Sequence, residues 1–369
     1  MRERWFMTVN LEYVEETTQK RLAFSAGELV PLGFDDLVAL HGKLREPIVF
    51  PLRIRGAQVA STEFEHLQIA EKLNVKAELQ SHLGSTVLGL VKGGWLPSGL
   101  ILDEDTLLLP DRCTVAALRS RFVGGEPKEG VPPDFLDFAR DKALKVNPML
   151  YAMEGTSGSR NPDAAELSAL YDRAALKIGE ALPKAVMFPG KEDALQGVLG
   201  LLRDQAQGFA ARQRFLTKAA PLLATPVGRK RLPDLWQQLL ELAERHGVAR
   251  ASMLVCALFS ASAAHPAMNP AMGVLKPRRQ YTEKNAFNAL TDLRSLDLLI
   301  AAGTDFPDKR VALLTEDRAL ALYWVGMQTH SHRRNGTSIH YAMNPHTALF
   351  ARLDKQEMEA VLKMLSDGS

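Results

Sequence analysis

The sequence predicts an α/β fold: a parallel sheet flanked by helices, with a helical insertion and a small α+β unit ahead of it. Three observations lead there. Short apolar runs at residues 100–102, 146–153 and Arg310–Thr315 lack polar alternation, as strands buried on both faces of a parallel sheet do. Helical patterns separate these runs, which is the alternation of an α/β sheet. Between the second and third runs, residues 162–246 are almost wholly helical in pattern, so extra helices are inserted there.

Taken in order, residues 1–97 hold extended pieces at 5–13, 47–55 and 86–91 around a helical stretch at 62–73, where Thr62 and Glu65 have capping-box spacing. This small domain has mixed charge and no visible chemistry. Gly93, Gly94, Pro97, Ser98 and Gly99 are turn residues and mark its end. The main domain then spans 98–350, with its first strand expected at 100–103. Residues 124–133 form a loop and 134–144 a helix. Asn161 is placed to cap a helix opened by Pro162, and Pro233 opens another that Gly247 closes. The insertion covers about 160–247. An apolar helix at 249–264 follows, then one from Thr282 or Asn285 to about Ala302, and a last one at 317–325. A C-terminal helix occupies 351–369.

The length of 369 residues suits two or three domains at roughly 150 residues each. With 46% hydrophobic and 24% charged residues, wholesale disorder and fibrous repeats are excluded. Cys113 and Cys256 are far apart and form no Cys-x-x-Cys, so they read as two thiols of a reducing compartment. No signal-peptide core is visible near the N-terminus, and the apolar run at 251–264 is shorter than the roughly 20 residues of a spanning helix. A soluble cytoplasmic protein with no membrane partner is expected. Its 45 Lys+Arg against 43 Asp+Glu give a net +2, which argues against a polybasic binder unless the two signs are sorted in space.

The acids are placed informatively. Asp103 ends the 100–103 run and Asp317 follows Arg310–Thr315; open α/β sheets bind ligands at the carboxyl ends of their strands, so the two would share a crevice. Glu154 ends the apolar stretch before Gly155. Asp292 and Asp297 lie on a helix that is apolar around most of its circumference, where a lone ionised carboxylate is costly unless paired or bound to metal. Any one of these acids is equally well a helix cap or an ion-pair partner. Together they suit Mg²⁺ or Mn²⁺, which take oxygen ligands and activate water for attack on phosphorus.

These segments resemble the PIN-domain (PilT N-terminus) nucleases. Leu100-Ile101-Leu102-Asp103 is similar to the family's strand ending in Asp, with Glu104 and Asp105 in place of the following polar pair. Asp297-Leu298-Leu299-Ile300-Ala301-Ala302 is similar to its acidic helix motif, and Leu313-Leu314-Thr315-Glu316-Asp317 to its strand-Thr-x-Asp motif. The likeness covers roughly 99–325, interrupted by the insertion. It implies a metal-dependent ribonuclease or single-strand nuclease in which Asp103, Asp297 and Asp317 hold Mg²⁺ or Mn²⁺. Glu154 would orient or deprotonate the attacking water or join the coordination, and Thr315 would support the cluster by hydrogen bonding. Asp292 and Asp297 are about 140° apart on a helix, so both do not readily face one ion. Motif form favours Asp297, with Asp292 as its substitute; Glu166 is the nearest rival of Glu154. By analogy with the fold's frequent uses, a toxin or defence effector is one setting.

A nuclease also needs cations around its acids. Arg212, Arg214, Lys218, Arg229, Lys230 and Arg231 group in the insertion, Lys276, Arg278 and Arg279 precede the acidic helix, and Arg333 and Arg334 follow Asp317. They are expected to guide RNA or single-stranded DNA by its phosphates, although solvated helix faces would look the same. Phe209 and Phe215 have core spacing. His330, His332, His340 and His346 lack zinc-ligand spacing, and neither Gly-x-Ser-x-Gly nor a phosphate-binding Gly-Lys-Ser/Thr loop is present. The competing readings are a non-enzymatic nucleic-acid or protein-binding regulator and a small-substrate phosphatase. Residues 1–97 leave room for a protein partner or inhibitor.

Overall fold

The main sheet has the strand order Val186–Met187, Lys145–Val146, Thr106–Pro110, Arg310–Thr315, Leu88–Val91, Gly94–Pro97 in the computed structural model, which describes residues 5–6, 11–25, 27–335 and 338–366. The first four strands run parallel, and the last two are antiparallel to their neighbours. The protein is thus mixed α/β, with parallel strands flanked by helices. Alternate side chains of the two central strands enter different cores. Leu109, Val311 and Leu313 meet the helices Met253–Ala263, Glu283–Asp305 and Arg318–Met327, whereas Leu108, Ala312 and Leu314 meet Arg112–Arg121 and Ala164–Ala181. Apolar runs without alternation arise because both strand faces are covered.

Several expected elements form as read. Arg310–Thr315 is a strand, and Thr282 caps the helix Glu283–Asp305 through a capping box with Asn285. Pro233 lies in the first turn of Leu232–Arg245, and Gly247 follows it at φ +66°. The helices Met253–Ala263 and Lys355–Ser366 are also present. No helix among the described residues is long and apolar enough to cross a membrane.

Others differ, for local reasons. Residues 100–103 are not a strand. The chain passes through a short 3₁₀ turn at Ser98–Leu100, Asp103 Oδ1 accepts the Asp105 amide at 2.8 Å, and the Asp103 carbonyl accepts the Thr106 amide at 3.0 Å. The acid's own turn chemistry defeats the apolar run, and the strand begins three residues later, at Thr106. Residues 62–73 are not helical either. Val49–Thr62 is one long strand paired with Lys72–Gln80, and Thr62 Oγ accepts the Phe64 amide at the turn between them. Of 134–144 only Phe135–Ala139 is helical, as a 3₁₀ segment. The 146–153 run splits at Asn147 and Pro148 into Lys145–Val146 and the helix Met149–Met153. Asp163, not Asn161, caps Ala164–Ala181, and the insertion contributes the outer strand Val186–Met187. Part of the extended piece expected at 5–13 lies outside the described residues.

The boundary at 97 also moves. Leu88–Val91 and Gly94–Pro97 belong to the main sheet, and Trp324 Nε1 donates to the carbonyls of Val91 and Gly94. The remaining N-terminal strands form a second, antiparallel sheet around Val49–Thr62. Leu32, Phe34, Leu37 and Phe50 share a core cluster with Trp324 and Leu349, so this sheet is packed onto the main body and is not a detached unit.

Candidate functional site

The central parallel strands end side by side. Pro110 pairs with Leu314, and the next residue, Asp111, donates its amide to the Leu314 carbonyl at 3.1 Å. Thr114 Oγ donates to that same carbonyl at 2.7 Å. Asp111 caps the helix Arg112–Arg121, its Oδ1 accepting the Thr114 amide at 2.7 Å; Asp317 caps Arg318–Met327, its Oδ1 accepting the Leu320 amide at 2.9 Å. Capping uses one oxygen of each acid. Thr315 lies between them: its Oγ accepts the Asp317 amide at 2.9 Å, and its side chain also hydrogen-bonds the Asp111 carboxyl.

Two more acids reach this end of the sheet. Glu154 closes the helix Met149–Met153, and Asp292 projects from Glu283–Asp305; both line a cavity of about 330 Å³. Arg112 holds Glu154 twice, with its amide 3.3 Å from Oε1 and its Nε 3.1 Å from Oε2. Burial pushes the Glu154 carboxyl up to about 7, with Asp111 adding to the rise and Arg112 opposing it. Burial likewise takes Asp292 to about 8; Asp317, Glu154 and Asp111 push the same way, and Lys276 opposes them. Asp111 is raised by burial and by Asp317, against its hydrogen bonds from Thr315 and Thr114. These carboxylates feel one another in a poorly solvated place, which is why their ionisation is unfavourable. Among the described residues, no three His, Cys, Asp or Glu side chains converge closely enough to hold a metal as they stand.

Two expected members are elsewhere. Asp103 lies at the opposite end of the strand pair, where Arg310 Nη2 meets its Oδ1 at 2.6 Å. Its place is taken by Asp111, which sequence reasoning missed. The signal was present eight residues on: Thr106-Leu107-Leu108-Leu109-Pro110-Asp111 is also an apolar run ended by an acid. Asp297 faces away from the cluster, toward Arg212 Nη1 at 3.5 Å and the Tyr341 hydroxyl at 3.4 Å. Its carboxyl is raised by burial, with Arg212 opposing. The helix rotation that separates Asp292 from Asp297 turns the former to the site and the latter to the insertion. Glu166 anchors a loop, its Oε1 accepting the Thr156 amide at 2.6 Å.

The bases divide into two kinds. Arg212 is paired with Asp297, Arg229 with Asp354 and Glu357, and Arg334 with Asp305, so these three brace the fold. Arg214, Lys218, Lys230, Arg231, Lys276, Arg278, Arg279 and Arg333 are exposed and form no ion pair among the described residues. Lys276 is near enough to Asp292 to stabilise its charge, and Arg45 and Arg318 do the same for Glu316. Phe209 and Phe215 are buried in the core. No family model, curated protein or solved structure matches the chain.

Proposed function

We propose that the protein is a nuclease of PIN-like architecture that acts on RNA or single-stranded nucleic acid with Mg²⁺ or Mn²⁺. One observation carries this reading: four acids from four separate segments, Asp111, Glu154, Asp292 and Asp317, lie within electrostatic range of one another near the carboxyl ends of adjacent parallel strands. Three of them are raised by burial and by one another. A hard divalent cation supplies the charge such a cluster lacks, and an all-oxygen donor set suits Mg²⁺ or Mn²⁺ better than zinc. Asp111 and Asp317 each keep one oxygen clear of their capping bonds, and with Asp292 they would hold the ion. When bound, it would polarise a phosphodiester and lower the pKa of a water. Glu154, which lines the cavity, is the acceptor for that water's proton. The exposed bases Lys276, Arg278 and Arg279 would take backbone phosphates beside Asp292. Two free thiols, Cys113 and Cys256, accord with a reducing cytoplasm.

A second reading rests on Arg112. Its ion pair already neutralises Glu154, and the acids are not drawn together around a point, as suits a binding protein whose acids serve structure. The test is cleavage of labelled single-stranded RNA and DNA with Mn²⁺ and with EDTA. Metal-dependent cleavage lost in Asp111→Asn and Asp317→Asn supports the nuclease. A wild type that cuts neither substrate, with both variants merely altered in stability, supports the binding protein.

A further inference from the structure

The cavity beside the acids has a second end that the proposed chemistry does not use. Lys284, Asn288 and Asp292 follow one another at four-residue spacing on Glu283–Asp305, so they form one stripe along the helix. From Lys284 to Asp292 the stripe is about 12 Å long at 1.5 Å per residue. It runs from a cation through an amide to an acid. The same cavity is lined by Arg112 and by the loop that carries Gly155, Thr156 and Gly158, with Gly158 lying against Lys284 and Asn288.

Several donors here are unspent. Lys284 Nζ and the Asn288 amide make no hydrogen bond or ion pair among the described residues. Arg112 donates Nη2 to the Gly155 and Tyr151 carbonyls and forms an ion pair with Glu154 through Nε, which makes no hydrogen bond, and its Nη1 has no partner among the described residues. The loop is built to let Lys284 lie across it. Gly158 has φ +64°, and a Cβ there would come within 3.2 Å of Lys284 Cε. Phe287 also borders the cavity, but it is 1% exposed and packs edge-on against Phe209.

We propose that this cavity is a subsite for one nucleotide unit, with a phosphate held between Lys284 and Arg112 and the nucleoside lying along Asn288 toward Asp292. The polarity follows from the stripe: Lys284 is the cation at one end and Asp292 the acid at the other, so the phosphate settles at the Lys284 end. A volume of about 330 Å³ is at the small end of ligand pockets and matches a single nucleotide rather than an oligomer. A bare anion would leave the Asn288 amide without a partner. The inference deepens the proposed nuclease reading and rests on it for the nature of the substrate: the nucleotide next to the cleaved bond is read here.

Calorimetric titration of the full chain in EDTA, with AMP, CMP, adenosine and inorganic phosphate as probes, tests it. The nucleoside monophosphates are expected to bind at least tenfold more tightly than adenosine or phosphate. Lys284→Glu should weaken AMP tenfold or more, and Asn288→Ala threefold or more with phosphate unaffected. Both positions are exposed, so the fold is expected to persist, and a near-ultraviolet dichroism spectrum checks that. Equal affinity for AMP and adenosine, equal affinity for AMP and phosphate, or indifference to both substitutions overturns the subsite. Failure of the nuclease reading is distinguishable: a chain that binds AMP through Lys284 yet cuts nothing keeps the subsite and loses the enzyme. A chain that cuts RNA but binds no monophosphate does the reverse.

Discussion

Arg112 Nε stands 3.1 Å from Oε2 of Glu154, so this cavity-lining carboxylate is already engaged by a cation that the chain supplies itself. Any divalent ion that recruits Glu154 has to compete with this guanidinium. Arg112→Gln removes the competitor while keeping a polar side chain. It is expected to tighten Mn²⁺ binding by threefold or more in the absence of nucleic acid, measured by titration calorimetry. Unchanged or weaker binding would show that Glu154 is not recruited.

Asp111 and Asp103 occupy opposite ends of the same strand pair and should behave differently. Asp111→Asn is expected to reduce cleavage by more than about 100-fold, in keeping with the loss of a charge that a metal-centred transition state needs. Asp103→Asn should leave cleavage within about threefold and cost on the order of 1 kcal/mol of stability, because Arg310 loses a charged partner at 2.6 Å. Cleavage rates and urea midpoints on both variants check the pair.

The raised acids make stability depend on pH in a definite direction. Folding lifts Asp292 from 3.8 to about 8 and Glu154 from 4.5 to about 7, so the folded state binds protons that the unfolded state has released. Their contribution is full below pH 4 and is lost as pH rises through about 7 to 8. Wild type should therefore lose stability between pH 5 and 8.5 in EDTA. Asp292→Asn should flatten that loss, with a gain on the order of 1 kcal/mol at pH 8.5. Urea unfolding at the two pH values measures it, and a parallel fall in wild type and variant would count against the assignment.

Metal should act on the same balance. At pH 8, millimolar Mn²⁺ is expected to raise the melting temperature of wild type by a few degrees through binding to the folded state alone. Asp297→Asn should respond like wild type because Asp297 faces Arg212 and Tyr341, whereas Asp292→Asn should not respond. Thermal melts with and without Mn²⁺ separate these two helix positions.

Of the cations, only the unpaired ones should matter for nucleic acid. The double substitution Lys276→Ala, Arg278→Ala is expected to lower the slope of log affinity against log salt for single-stranded RNA by about 1 to 2. Arg229→Ala and Arg334→Ala should leave that slope unchanged, since both residues are committed to carboxylates. Fluorescence anisotropy across a salt series reads the difference.

Strand Arg310–Thr315 was legible because its burial on both faces leaves an uninterrupted apolar run, and Thr282 was legible because a capping box is local. Asp317, Glu154 and Asp292 follow from position after a strand or on a helix. Asp111 did not, because two apolar runs, each ended by an acid, lie eight residues apart. Only the turn at Asp103, closed by its own side chain and carbonyl, decides which run becomes the strand. The choice between Asp292 and Asp297 needed the direction of the helix face, which depends on partners from the insertion and from the hairpin holding Tyr341. Pairing of Arg229 and Arg334 likewise involves residues 125 and 29 positions away in sequence. No local pattern reports such distances.

The strand Arg310–Thr315 comes late in the chain yet sits at the centre of the sheet, between Thr106–Pro110 and Leu88–Val91. During synthesis, the earlier strands emerge with a vacant slot between them, and Asp111 waits for Thr315 and Asp317 from 204 and 206 residues downstream. A product that stops short of residue 310 lacks the central strand of the sheet and, of the four acids, Asp317. Asp111 and Asp317 become neighbours only when this late strand takes its place at the centre of the sheet.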